Sequence, residues 1–274
     1  MPRAGWCTDI HLDWLDREQR AGFHQTLRAA ALDALLIGGD IGDAGSVADL
    51  LAAIHDALGI PVCFVLGNHD FYGGAIATVR KRVRALSAAR PRLVYLTAGG
   101  VVRLSPKTSL VGHDSWADAR FGDFMASDVA LNDHVLIEDF KALAGPAPDH
   151  PAAKRRLMEK LQSLGSEAAR EIRAPLAKAL ASSAEVFVLT HVPPFPEACC
   201  RGAGATIGRF LPHFASQAFG HSLLEAAAAH PGRAITVLCG HTHGESYVEI
   251  RPNLKVWTGG ARYGAPALQR VFEV

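Results

Sequence analysis

The chain has 274 residues, 49 % of them hydrophobic, and 28 Lys and Arg against 27 Asp and Glu leave a formal net charge of +1. That is enough apolar material for a sizeable core, while the near-zero charge excludes a global basic footprint for extended nucleic acid and leaves any anion to be drawn by a local site. No run of about 18 apolar residues is available to span a bilayer, residues 1–6 hold no apolar signal core and the five Cys form no CxxC pair, so the expectation is a cytoplasmic protein without membrane span or disulfide framework.

No internal repeat is evident at periods of about 20–50 residues. Helical spacing runs over residues 18–32, and the apolar run 34–37 follows as a strand. Residues 47–58 repeat the helical pattern, 62–66 form a second apolar run, and 76–86 carry Ile76, Val79, Val83 and Leu86 at helical spacing. The short, turn-bounded stretches 93–96, 101–104 and 110–111 read as antiparallel strands. From about 113 to 183 the pattern is that of a mostly helical insertion, broken at Ala144-Gly145-Pro146-Ala147-Pro148. Residues 186–189 and 235–238 are two further apolar runs. Between them, residues 193–221 are rich in Pro, Gly and aromatics and too long for a plain connection, which suits an active-site loop. Residues 245–251, 254–258 and 267–273 close the chain as antiparallel strands. Continuous apolar runs suit strands covered on both faces, and strand alternating with helix predicts a layered α/β fold over 1–274 as one domain.

The residues that follow each apolar run carry the chemistry. Gly38-Gly39-Asp40-Ile41-Gly42-Asp43 follows the first, Gly67-Asn68-His69-Asp70 the second, Thr190-His191 the third and Gly240-His241-Thr242-His243 the fourth. Near the start, Asp9-Ile10-His11 follows another short strand. The carboxyl ends of strands are where open α/β sheets assemble their sites. Gly39, Gly67 and Gly240 permit sharp turns there. Asp9 and His11, like His241 and His243, are two apart and in extended backbone point to one side. Carboxylate, amide and imidazole without thiolate suit Mn, Fe, Zn, Co or Ni. The donors are too many for one tetrahedral ion, and two ions about 3.5–4 Å apart fit better, a pairing suited to phosphoryl chemistry.

Taken in order, Asp-x-His, Gly-Asp-x-x-Asp, Gly-Asn-His-Asp, His and Gly-His-x-His span residues 9–243 and resemble the calcineurin-like metallophosphoesterase family. The resemblance implies a four-layer α-β-β-α sandwich, with two mixed sheets flanked by helices. It implies that Asp9, His11 and His243 hold a first metal, that Asn68, His191 and His241 hold a second, and that Asp40 bridges them. The metals implied are divalent or mixed-valence ions, Mn or Fe, with Zn as a further choice. A bridging hydroxide would attack phosphorus in line. His69 would be the His that binds no metal and protonates the leaving oxygen. By the same resemblance Asp43 is its carboxylate partner, with adjacent Asp70 the alternative.

Ala44 stands where the serine/threonine protein phosphatase branch has Arg, which excludes that branch. Only residues 244–274 follow the last motif, which disfavours the nuclease branch with its large capping domain. The expected reaction is hydrolysis of a phosphomonoester or phosphodiester in a small molecule or nucleotide. The alternatives are a nuclease for short nucleic acid and a non-catalytic scaffold on the same fold. Candidate substrate contacts are His113 and Arg120, then Asn132 and His134, and Arg201 with Gly202 and Gly204 in the later loop. Arg80-Lys81-Arg82 and Lys154-Arg155-Arg156 read as solvated helix faces.

Overall fold

The computed structural model describes residues 1–147, 150–199 and 207–274. In chain order the elements are β1 (Arg3–Cys7), α1 (Arg17–Ala29), β2 (Ala34–Ile37), α2 (Val47–Leu58), β3 (Val62–Phe64), α3 (Ile76–Ala89), β4 (Leu93–Tyr95), β5 (Val102–Arg103), β6 (Thr108–His113), α4 (Asp133–Leu136), α5 (Glu138–Ala144), α6 (Pro151–Ser182), β7 (Glu185–Thr190), α7 (Ile207–Phe214), α8 (Gln217–Ala229), β8 (Ala234–Cys239), β9 (Ser246–Arg251), β10 (Leu254–Thr258) and β11 (Arg270–Glu273).

These strands form two mixed sheets. The first has the order β11-β1-β2-β3-β4 and the second β5-β6-β7-β8-β10-β9. In the first sheet β1 to β4 run parallel and β11 pairs antiparallel with β1. In the second, β6, β7, β8 and β10 are parallel, with β5 and β9 antiparallel at the edges. The stretch 254–258, expected antiparallel, pairs antiparallel with β9 and parallel with β8. Residues 93–95, expected antiparallel, join a parallel ladder, and β6 with 110–111 pairs antiparallel with β5 as expected but parallel with β7. Each is linked to a parallel neighbour through a helix: α3 returns the chain from β3 to β4, and the helical insertion returns it from β6 to β7. Such crossovers bring strands back in the same direction. A short strand's own residues do not encode that connection.

The apolar residues of the two sheets and the helices against them divide into three layers. Between the sheets, Trp6, Leu36, Cys63 and Val65 of the first meet Leu110, Phe187, Leu189 and Leu238 of the second. Outside the first sheet, Leu35, Ile37 and Phe64 pack on Phe23, Leu27, Leu51, Ile54 and Val83 of α1, α2 and α3. Outside the second, Val186, Val188 and Val237 pack on Ile172, Leu176, Phe219 and Leu223 of α6 and α8. Alternate residues of each central strand face opposite layers, which is why these strands read as continuous apolar runs.

Local chemistry sets the helix ends. Asp16 and Gln19 form a reciprocal capping box at the start of α1. That helix ends earlier than its apolar spacing suggests, because Ala31 takes a left-handed conformation at φ 49°. Gly145, at φ 62°, ends α5 where the Ala-Gly-Pro break was expected. The insertion is only partly helical: residues 114–132 are irregular before α4, α5 and the 32-residue α6. Phe187 lies at the centre of the inter-sheet layer and is 2 % exposed. Phe187→Ala is expected to cost about 3–5 kcal/mol of stability, measured by denaturant unfolding of the metal-free chain.

Candidate metal centre

The turns after β1, β2 and β3 of one sheet meet those after β7 and β8 of the other. The backbone of Asp9, His11 and Leu12 is stitched to Gly39, Asp40 and Ile41 by three amide hydrogen bonds of 2.8–3.0 Å. Within the second sheet the Gly240 amide donates to the His191 carbonyl at 2.9 Å, and across the sheets the His241 amide donates to Asp9 Oδ1 at 2.9 Å. A methyl group at Gly240 would overlap the Asp9 carboxylate, and one at Gly67 would overlap that of Asp40. At both places only hydrogen fits.

Asp9, His11, Asp40, His241 and His243 all have positive φ, between 39° and 69°. Such left-handed residues cost about 1–2 kcal/mol each and persist where the surroundings over-determine them. The extended backbone expected at 9–11 and 241–243 is therefore absent. At the second pair the consequence is functional: His243 turns toward Asp9 and His241 toward Asn68.

Two groups of donors result. Asp9, His11, Asp40 and His243 each offer an atom within 4.8 Å of the others. His243 Nε2 is 3.4 Å from Asp9 Oδ1 and 3.3 Å from His11 Nε2. In the second group Asn68 Oδ1 lies 3.0 Å from His191 Nε2 and 2.9 Å from His241 Nδ1. Asp40 joins them, with Oδ2 3.9 Å from His11 Nε2 and Oδ1 3.4 Å from His191 Nε2. Two donors at about 2.1 Å from one ion, at tetrahedral to octahedral angles, stand about 3.0–3.4 Å apart. The donor types and most of these separations fit two ions with a carboxylate between them.

Surrounding groups fix which ring atom faces inward. His191 Nδ1 faces the Gly38 carbonyl at 2.8 Å and His241 Nε2 the His213 carbonyl at 2.9 Å, which leaves His191 Nε2 and His241 Nδ1 for a metal. The Asn68 amide is oriented in the same way: its NH2 donates to Asp133 Oδ1 at 2.8 Å, so its oxygen points at the two imidazoles. Tyr72 Oη donates to the same Asp133 oxygen at 2.7 Å.

The electrostatics reflect crowded opposite charges. Burial alone would raise Asp40, but the surrounding His191, His69 and His11 hold it well below the ordinary carboxylate value. Burial would lower His191, yet the Asp40 and Asp9 carboxylates push it up to about 10. Burial pushes His11 down to about 4 despite Asp40.

Several expectations are corrected. Asp43 does not pair with His69: its Oδ1 accepts from the Ser46 amide and hydroxyl, at 2.8 and 2.7 Å, at the start of α2. Asp70 accepts from the amides of Ile41, Gly42 and Gly67 and holds those two turns together. The carboxylate nearest the His69 ring is Asp40, whose Oδ2 is 4.0 Å from Nε2. His113 is buried under α6, with Nε2 3.1 Å from Glu171 and Nδ1 accepting from the Ser115 amide. Arg120 is engaged by Asp118, the Gln162 carbonyl and Ser166. Neither lines the cleft of about 240 Å³ beside the donors, whereas Asn132 does. His134 lies deeper, against Phe124, Phe140 and His213. Arg201, Gly202 and Gly204 lie outside the described residues.

The sequence reading overlooked Tyr72, Asp133 and Tyr263, all of which line that cleft. Tyr72 follows the Gly-Asn-His-Asp motif by two residues, and Tyr263 stands in a glycine-rich stretch, so both carried a local signal. Asp133 carried none, being 65 residues from the amide it orients.

The sequence profile of the calcineurin-like phosphoesterases matches residues 2–245. The chain belongs to that family. It is accordingly a metal-dependent phosphoester hydrolase. Among solved structures, phosphopantetheinyl hydrolase from Mycobacterium tuberculosis is 14 % identical at a TM-score of 0.66, over 94 % of this chain and 89 % of that one. A dimetal phosphatase from Danio rerio is 15 % identical at a TM-score of 0.57, over 94 % and 87 %. At these identities the likeness shows a shared fold. No curated protein sequence matches the chain.

As a metal ligand His191 would have to be an unprotonated imidazole, whereas in the metal-free phosphoesterase the Asp40 and Asp9 carboxylates push it up to about 10. Metal binding near neutral pH is therefore expected to release a proton, and affinity to rise with pH toward that value. Calorimetry in buffers of different ionisation enthalpy measures this directly. Stability that His191 gives the metal-free fold is full below its ordinary value of 6.5 and is lost as pH rises through about 10.

Proposed function

We propose that this phosphoesterase hydrolyses a phosphomonoester or phosphodiester bond in a small phosphorylated molecule or nucleotide at a dinuclear centre of divalent transition metals, Mn or Fe before Zn. In this reading Asp9, His11 and His243 hold one ion, Asn68, His191 and His241 hold the other, and Asp40 serves both. The observation that carries it is the placement of Asp40, with one oxygen toward each group of donors. The fold shared with a protein described as a dimetal phosphatase supports it. Two such ions supply Lewis acidity toward phosphoryl oxygens and an activated water for attack in line with the leaving group.

The remaining steps fall to this chain's own residues. The His69 ring packs against Tyr72, with centroids 4.3 Å apart, and its side chain is 20 % exposed at the cleft. Asp40 Oδ2 lies 4.0 Å from its Nε2. A proton held there faces the cleft, where it can pass to the departing alkoxide. The backbone amide of His69 also donates to Asp40 Oδ1 at 2.9 Å. One carboxylate thus sets both the donor groups and the proton donor beside them.

His69→Ala is expected to keep both metals and to lose about 100-fold or more in turnover, with the larger loss on esters of poor leaving groups. A fall in metal content instead would refute its role as an acid. Asp40→Asn is expected to lower occupancy at both positions, read by elemental analysis of Mn-loaded protein. Two metals per chain in that variant would refute the shared-carboxylate reading. Activity on bis-p-nitrophenyl phosphate and p-nitrophenyl phosphate, lost on chelation and restored by Mn²⁺, tests the reaction itself.

A further inference from the structure

Among the described residues, six large hydrophobic side chains are exposed, and two of them touch each other at the rim of the donor cluster. Trp14 is 63 % exposed and Tyr263 45 % exposed. Their ring centroids are 4.8 Å apart with the planes 36° from parallel. Tyr263 in turn lies 4.5 Å from the His11 ring, 5.2 Å from that of His243 and 6.1 Å from that of His69. An aromatic surface therefore leads outward from the proton donor and the first group of donors.

Both rings are held by the segments that carry those donors. Trp14 ends the short turn Leu12–Trp14, which follows His11 directly. Its amide donates to the His11 carbonyl at 3.1 Å, and neighbouring Leu12 is fully buried. Tyr263 follows a stretch fixed by the Ala261 amide on the His243 carbonyl at 3.2 Å, and by Gln269, which exchanges two hydrogen bonds with the backbone of Gly260. A surface clipped to the ligands at two points presents its area with little ordering cost on binding.

We infer that Trp14 and Tyr263 form a stacking platform for a planar heteroaromatic group, so that the preferred esters are nucleotides whose leaving alcohol carries a base. This rests on the hydrolase reading and narrows it. Of the three imidazoles around Tyr263, His69 is the one assigned to the leaving oxygen, and its ring lies 6.1 Å away, so the group that stacks belongs to the departing side of the ester. A rigid base covers both exposed rings without freezing rotatable bonds, unlike an alkyl chain of equal area. Each base stacked on an aromatic side chain is worth about one order of magnitude in binding, and sometimes two.

The test compares adenosine 5′-monophosphate with ribose 5-phosphate. Both release a primary 5-alkoxide of ribose, and adenine in one takes the place of the anomeric hydroxyl in the other. Binding to the Mn-loaded enzyme is measured by calorimetry, and turnover by phosphate release. The nucleotide is expected to bind about 10-fold or more tightly. Trp14→Ala and Tyr263→Ala should each shrink that ratio toward one, and Trp14→Phe should keep most of it. Equal binding of the two esters by the unmodified chain, or an alanine variant that weakens both alike, overturns the platform. The hydrolase reading fails separately: a chain that binds the nucleotide through Trp14 yet releases no phosphate from either ester and no nitrophenol from bis-p-nitrophenyl phosphate retains the platform and refutes the chemistry. A chain that hydrolyses both esters with equal efficiency does the reverse.

Discussion

The centre of this structure depends on one buried carboxylate facing two ways. Asp40 is 1 % exposed and has one oxygen toward His191 and the other toward His11. With Asp9, also 2 % exposed, it puts two acids where burial strongly penalises charge. Imidazoles relieve part of that penalty, which is why His191 holds its proton so firmly. Cations bound between the two donor groups relieve it more fully, since each would meet carboxylate and neutral nitrogen together.

Holding those donors requires backbone that few sequences tolerate. Five of the seven proposed ligands have left-handed φ, and two glycines next to them have no room for a side chain. The strain is offset by hydrogen bonds that tie turn to turn: Asp70 under Ile41, Gly42 and Gly67, and Asp9 under His241. Both sheets contribute, so the inter-sheet core and the site form one mechanical unit. Leu36, leading into Asp40, and Leu189, leading into His191, belong to the same buried layer.

Much of this was legible in the residues. Continuous apolar runs marked the central strands, and the polar residues immediately after them marked the donors. The helices at 47–58 and 76–89 began where their apolar spacing placed them. Strand direction in the short segments was not legible, because it follows from how the chain returns rather than from side-chain pattern. Asp43 is the expected partner of His69 and Asp70 the alternative, yet Asp43 accepts from the Ser46 amide and hydroxyl and Asp70 from three backbone amides. His113 and Arg120 looked like substrate contacts because polar residues near a strand end are often exposed to the site. Glu171 of α6 and Asp118 bind them instead.

Sequence alone determined the inventory: which donors exist, their order, and that each follows a strand. Those properties are local, set by residue type and by turns of a few residues. Tertiary structure decided the grouping. Asn68 meets His241 across 173 positions and His11 meets His243 across 232, contacts that no local spacing encodes. It also decided that His241 and His243, two residues apart, serve different groups, and that Trp14 and Tyr263 meet at the rim. The physical reason is the same in each case: a side chain's partner is chosen by packing of the two sheets, and that packing is a property of the whole chain.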